Sequence, residues 1–123
     1  IRAMRYLEDY PDNPTAIYFT SLINLNRDYK DAYARNQAYK LVNILYKSGE
    51  TIKIANFLLE LFNISYDFVE QIIIENNDIT GNTELVDMML KKFDDNSIKE
   101  LIYKKFVDGK LQVLINQMNI REK

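Results

Sequence analysis

The chain contains no cysteine, no histidine and no tryptophan. The absence of cysteine excludes disulfides, thiolate metal sites and thiol nucleophiles, and it is typical of cytoplasmic proteins. The absence of histidine removes the commonest general base and metal ligand, so cysteine/histidine zinc sites, serine–histidine–aspartate triads and haem ligation through histidine or cysteine are excluded as well. We therefore expect an intracellular, non-catalytic protein with no metal site and no cofactor.

Glycine and proline are also scarce, with three and two residues among 123. This leaves few residues for the tight turns of hairpin-rich β-proteins. The three glycines, Gly49, Gly81 and Gly109, are isolated from one another, which excludes Walker and dinucleotide-binding loops. No apolar run approaches the roughly 18–20 residues that cross a bilayer, so the sequence predicts no membrane association.

The length of 123 residues fits one domain with its own core. Apolar residues make up 47% of the chain and charged residues 28%, which is typical of a globular protein. We expect residues 1–123 to form a single all-helical domain. Because the chain begins with Ile1 rather than methionine, we also expect it to be a fragment of a longer chain.

Apolar residues recur at helical spacing along nearly the whole chain, as they do over 54–62. Asn13 and Pro14 predict the N-cap and the first residue of one helix, since asparagine favours the cap and proline the position after it. The first helix is marked by Ile1, Met4 and Leu7. The pattern predicts an all-α fold of about eight short helices, arranged as an irregular bundle or as stacked helical hairpins.

Polar and glycine signals predict where the other helices end. Gly49 should end a helix that begins near Asp28, because glycine favours the position after a helix. The polar stretch 76–82 is predicted to be the longest loop. Ser97–Glu100 has the pattern of a capping box and should begin a helix, which Gly109 should end.

Positive charge is missing from one long segment. Between Lys53 and Lys91 there is no basic residue, whereas seven acidic residues fall in this interval. The segment 54–90 therefore carries a charge of −7, although the whole chain carries −2. Such a segment favours a basic partner surface.

The middle of this acidic segment resembles a helix-turn-helix, with a turn at 62–65 and a second helix over 66–75. A recognition helix needs donors for base edges and cations for phosphates. This helix instead offers Asp67, Glu70 and Glu75, so we predict that it repels nucleic acid and that these acids bind a protein partner. An enzyme that holds a divalent cation between Asp67 and Glu70 is an alternative.

The same region has a second resemblance. Asn56–Phe62, followed by Tyr66–Phe68, is similar to the helical part of phage tail-assembly chaperones over about twenty residues. Chains of that family usually begin with strands, which this sequence does not predict. The resemblance implies, as an alternative function, a phage-type assembly chaperone or regulator.

Tyrosines form a second candidate surface. Tyr39 and Tyr46 are a heptad apart, and Tyr33 precedes them in the same predicted helix. Tyrosine is favoured at interfaces because it offers a large area and a polar tip at low entropic cost. We predict a partner-binding groove lined by Tyr33, Tyr39 and Tyr46; the alternative is a half-buried stripe whose hydroxyls reach solvent.

Lysines supply an alternative to a protein partner. They occur in two pairs, Lys91 with Lys92 and Lys104 with Lys105, and aromatic residues flank the second pair. Lysine interleaved with aromatic residues is typical of single-stranded nucleic-acid binding, so a helical regulator could use the segment 91–110. Acidic residues between the lysines argue against this alternative.

These observations together predict a non-catalytic helical protein-interaction or adaptor domain. Its partner would be a protein, and the acidic 54–90 surface or the tyrosine-lined face would bind it.

Overall fold

The computed structural model describes the backbone of residues 7–122 and the side chains of residues 7–119. Ile1 and Met4 of the predicted first helix lie outside the described residues. Every regular element within 7–122 is an α-helix, which confirms the all-α prediction. The helices are α1 (described over residues 7–9), α2 (Pro14–Arg27), α3 (Ala32–Lys47), α4 (Thr51–Ile64), α5 (Tyr66–Glu75), α6 (Asn77–Gly81), α7 (Thr83–Lys92) and α8 (Asn96–Glu122).

The chain divides into two compact units, Ile1–Tyr66 and Asp67–Lys123. In the first unit α2 contacts both α3 and α4, and α3 contacts α4. In the second unit α6, α7 and α8 contact one another. Each unit thus has a set of three mutually packed helices, and the expected single domain over 1–123 stays a prediction.

The first unit begins at the predicted signals. The side-chain oxygen of Asn13 accepts a hydrogen bond from the backbone N–H of Ala16 at 3.0 Å, and Pro14 occupies the first helical position of α2. This confirms the predicted start. Helix α3 begins later than expected, because Asp31 caps it and Asp28 instead bonds to the backbone N–H of Lys30 within the preceding turn.

Gly49 ends α3 as predicted. Its φ of 73° lies in the left-handed region, where a side chain would be strained. Its N–H donates to the carbonyl of Tyr46 at 3.1 Å, and the N–H of Glu50 donates to that of Leu45 at 2.9 Å. This pair of bonds forms a Schellman motif and turns the chain directly into α4.

The prediction of a loop over 76–82 is wrong, because this stretch contains the short helix α6. Asparagines cap both short helices here. The side chain of Asn76 accepts from the N–H of Ile79 at 3.4 Å, and that of Asn82 accepts from the N–H of Leu85 at 2.9 Å. Ile79 is fully buried, and α6 contacts α7 and α8, so tertiary packing stabilises a helix that its polar sequence alone does not indicate.

Two expectations for the last helix are also wrong. Gly109 does not end a helix, because it lies inside α8, which is 27 residues long. The only positive φ among the described glycines belongs to Gly49, so the backbone of Gly109 gives no reason for a break. At the other end, Asp95 caps α8 in place of Ser97, accepting from the N–H of Ile98 at 2.9 Å.

Two predicted helices form the single helix α8, and α6 is an additional helix. The number of helices within residues 7–122 is therefore eight, as predicted. No helix in this part of the chain is both long enough and apolar enough to cross a membrane.

Candidate partner-binding surfaces

The three predicted tyrosines do not share one face of α3. Tyr39 and Tyr46 are half-buried and, being seven residues apart, lie on the same side of the helix. Tyr33 precedes Tyr39 by six residues, which places it about 120° away around the helix axis. Tyr33 is exposed and lines a cavity of about 310 Å³ together with Leu7 and Thr20.

The predicted acidic residues lie on the outer side of α5. Asp67 and Glu75 are exposed and Glu70 is half-buried, while the opposite side of the helix is buried. The amide of Gln71 donates to Glu75 at 3.1 Å. The outer side also carries Ile74, which is exposed, so α5 presents a mixed acidic and apolar face. No group of three acidic side chains that could hold a metal ion occurs within the described residues.

The four predicted lysines lie on two helices. On α7, Lys91 forms an ion pair with Asp87 at 2.9 Å, and Lys92 is exposed in the last turn, where a cation stabilises the helix dipole. On α8, Lys104 is exposed and Lys105 is half-buried. Ordinary helix electrostatics therefore account for Lys91 and Lys92.

A cleft of about 480 Å³ lies in the first unit, between α2, α3 and α4. Its apolar lining comes from all three helices, because the start of α2 and the end of α3 approach the middle of α4. Phe57 is 1% exposed and anchors this lining in the core, whereas Phe19 is 51% exposed at the cleft. Phe19, Leu41, Ile44 and Phe57 all belong to this apolar lining.

The polar edge of this cleft is formed by Tyr18 and Glu60. The hydroxyl of Tyr18 donates to the carboxylate of Glu60, which joins α2 to α4. Burial raises the pKa of Tyr18 to about 12, and the hydrogen bond to Glu60 and its negative charge act in the same direction. Tyr18 therefore remains a neutral donor at any physiological pH.

Two further charged side chains, Glu50 and Lys53, line the cleft. The ammonium nitrogen of Lys53 lies 3.8 Å from a carboxylate oxygen of Glu50, and this ion pair between residues three positions apart is exposed. Glu60, in contrast, has no basic partner within 4 Å among the side chains of residues 7–119. The cleft thus combines an apolar lining with the carboxylate of Glu60, which Tyr18 holds in position and which has no basic side chain beside it in the described part of the chain.

The sequence did not reveal this cleft. Tyr18 and Glu60 are 42 residues apart, and only the packing of α2 on α4 brings them together. Glu60 is one of the seven acidic residues of the 54–90 segment, and it does not belong to the buried side of α4.

A second surface lies on the last part of α8. Every described side chain from Val107 to Asn119 is exposed, and several of them are large and apolar. Val107, Leu111, Leu114 and Met118 form a row along one side of the helix, which we call the α8 seam. The sequence does not predict this row, because the expected break at Gly109 divides it between two helices.

No family model, curated protein or solved structure matches this chain. The two surfaces therefore have to be interpreted from their own geometry.

Proposed function

We propose that this chain is a non-catalytic helical interaction domain that binds a segment of a partner protein in the cleft of its first unit. The observation that supports the proposal is the carboxylate of Glu60, held by Tyr18 beside an apolar cleft of about 480 Å³ and lacking a basic partner within the described side chains. An apolar groove with a few fixed polar groups is the usual form of a peptide-binding site. Since the chain lacks cysteine, we place this function inside the cell.

The charge of the cleft defines the partner segment. Two carboxylates and one ammonium group line it, a net charge of −1, since Glu50 and Glu60 outnumber Lys53. A lysine or arginine of the partner that reaches Glu60 would gain a charge-assisted hydrogen bond beside an apolar surface. We therefore propose an amphipathic segment with aliphatic or aromatic anchors and a basic residue one helical turn from them.

The lining supplies the anchor contacts. Phe19 and Ile44 are accessible at the cleft, and Phe57 forms its fixed base. Because Phe57 is held by the core, a bound side chain would meet a surface that is already ordered. Such preorganisation lowers the entropic cost of binding.

Peptides selected from a random library on the purified chain test the proposal. We expect the selected peptides to combine apolar residues with lysine or arginine, and we expect Glu60→Gln to weaken their binding about tenfold, as is typical for loss of a charged partner. Calorimetry or fluorescence anisotropy with one selected peptide gives the dissociation constants.

Glu70→Gln is the matched control, because it removes the same charge from the outer face of α5. Binding that responds to Glu70→Gln and not to Glu60→Gln would contradict the cleft and favour the acidic face of α5. Selected peptides without basic residues would contradict the charge argument.

A further inference from the structure

We propose that α8 pairs with the α8 of a second copy of this chain, in antiparallel orientation, through the α8 seam. This inference does not depend on the cleft, because the seam belongs to the second unit and the cleft to the first.

The spacing of the seam is that of a coiled coil. Its residues follow one another at intervals of four, three and four positions, which is the a/d pattern of a heptad repeat. Val107 is 40% exposed, and the other three are 53–54% exposed. The continuity of α8 through Gly109 is what places all four on one side of a single helix.

The helix itself gives a reason to expect a partner. Past residue 106 its described side chains are all exposed, so none of them is buried in a core. The same stretch contains Gly109 and the β-branched residues Val107 and Val113, which have poor helix propensity. A short helix without tertiary support is marginal in water, and a packed partner helix would supply that support.

The charges along the seam are compatible with an identical partner. Asp108 and Lys110 are the only charged residues from 107 to 118, and they cancel. In an antiparallel pair, with Leu111 opposite Leu114 of the second copy, these two charges lie beside uncharged residues of that copy. Between residues 107 and 118, therefore, no like charges of the two copies meet.

The side-chain volumes favour the antiparallel orientation. It places the small Val107 opposite the long Met118 and leucine opposite leucine, so each layer has a similar volume. A parallel pair in register would place Val107 opposite itself and Met118 opposite itself, leaving layers of unequal size. Interiors pack to a nearly constant density, which makes the even arrangement the better one.

The area available is sufficient for a weak dimer. A fully exposed aliphatic side chain offers on the order of 100 Å² and an aromatic one about 200 Å². The seam together with Tyr103 and Ile115, each about half exposed, therefore offers roughly 350 Å² of apolar surface per chain. Two chains, with the usual apolar share of about 60%, would bury roughly 1,100 Å² in total, the low end for specific interfaces.

Sedimentation equilibrium on the whole chain, from about 1 to about 200 µM, measures the association expected of such an interface. We expect a dimer whose fraction rises with concentration. Leu111→Asp should weaken it at least tenfold, while Val113→Asp is the matched control: Val113 is 55% exposed on the same helix but faces away from the seam.

The absence of cysteine allows a clean test of orientation. A mixture of Leu111→Cys and Leu114→Cys chains should form a disulfide between unlike chains faster than either variant alone forms a homodimer. Faster homodimer formation by the single variants would overturn the antiparallel arrangement.

Two results would overturn the second copy as partner. One is a monomer at every concentration, and the other is equal loss of association by Leu111→Asp and Val113→Asp. A monomer that binds a hydrophobic dye in a manner dependent on Leu111 would assign the seam to a different protein. Peptide binding in the cleft would be unaffected by any of these results, so the two proposals fail separately.

Discussion

The cleft and the α8 seam are both apolar surfaces, but they are built differently. The cleft is concave and takes its side chains from α2, α3 and α4, with Phe57 anchored in the core at 1% exposure. The seam comes from a single helix, and none of its four residues is buried. The cleft also has a fixed carboxylate at its edge, whereas the charges along the seam cancel.

This difference determines what each surface can bind. The shape of the cleft is fixed by the fold, so little conformational entropy is lost when a ligand binds. Selectivity can then arise from the charge of Glu60. The seam is one exposed side of a single helix, so binding of a second helix and stabilisation of α8 occur together. Truncation of a buried cleft residue should therefore change the stability of the folded chain, and truncation of a seam residue should change its association.

The largest expected contrast is between Phe57→Ala and Leu111→Ala. Truncating the buried Phe57 should lower the free energy of unfolding by about 3–5 kcal/mol, since it removes apolar burial and leaves a cavity. Truncating the exposed Leu111 should change it by less than about 0.5 kcal/mol in dilute solution. Urea unfolding of both variants at low micromolar concentration gives the two values. A large loss of stability for Leu111→Ala in the monomer would show that the seam is part of the core.

Local signals in the sequence predicted local structure well. The cap at Asn13 and the Schellman turn at Gly49 depend on residues within one or two turns of each other, and both predictions are confirmed. The apolar periodicity likewise predicted the all-α class correctly, because it reports burial along one helix at a time.

The errors arose where distant packing decides the outcome. The stretch 76–82 is polar, yet it forms α6 because Ile79 is buried and α6 contacts α7 and α8. The cleft depends on Tyr18 and Glu60, which no sequence period connects. The tyrosines of α3 are a different case, because Tyr33 lies six residues before Tyr39 and the helix itself places the two on different sides.

A second contrast compares the two glycines that border these surfaces. An added Cβ meets nothing within 4 Å at Gly49 or at Gly109, so alanine tests only the backbone at each position. Gly49→Ala should lower the free energy of unfolding by about 1–2 kcal/mol, because its φ of 73° strains any side chain. Gly109→Ala should instead stabilise α8 by about 0.5–1 kcal/mol, because alanine is the better helix former.

Circular dichroism at 222 nm and urea unfolding measure both effects. If Gly109→Ala lowered the helical signal, α8 would not be continuous at this position, and the seam would be divided as the sequence first suggested. If Gly49→Ala were neutral, the turn that places Glu50 and Lys53 at the cleft would not require the left-handed conformation.

The smallest contrast concerns Tyr18, and it is confined to alkaline pH. Because the pKa of Tyr18 is raised to about 12 in the folded chain, the folded state retains the hydroxyl proton after the unfolded state has lost it. The contribution of this proton to the free energy of unfolding is therefore fully present below about pH 10, the pKa of tyrosine in the unfolded state. It is lost as the pH rises through about 12. The free energy of unfolding should fall more steeply over this interval for the wild type than for Tyr18→Phe.

Denaturant midpoints measured at several pH values from about 8 to about 12 give the two slopes. Tyr103→Phe is the matched control, since it removes an exposed hydroxyl from α8 and should leave the wild-type slope in place. Parallel curves for the wild type and Tyr18→Phe would mean that the Tyr18 hydroxyl reaches solvent and does not hold Glu60. The carboxylate would then be free to move, and the cleft would lose the fixed charge that distinguishes it from the α8 seam.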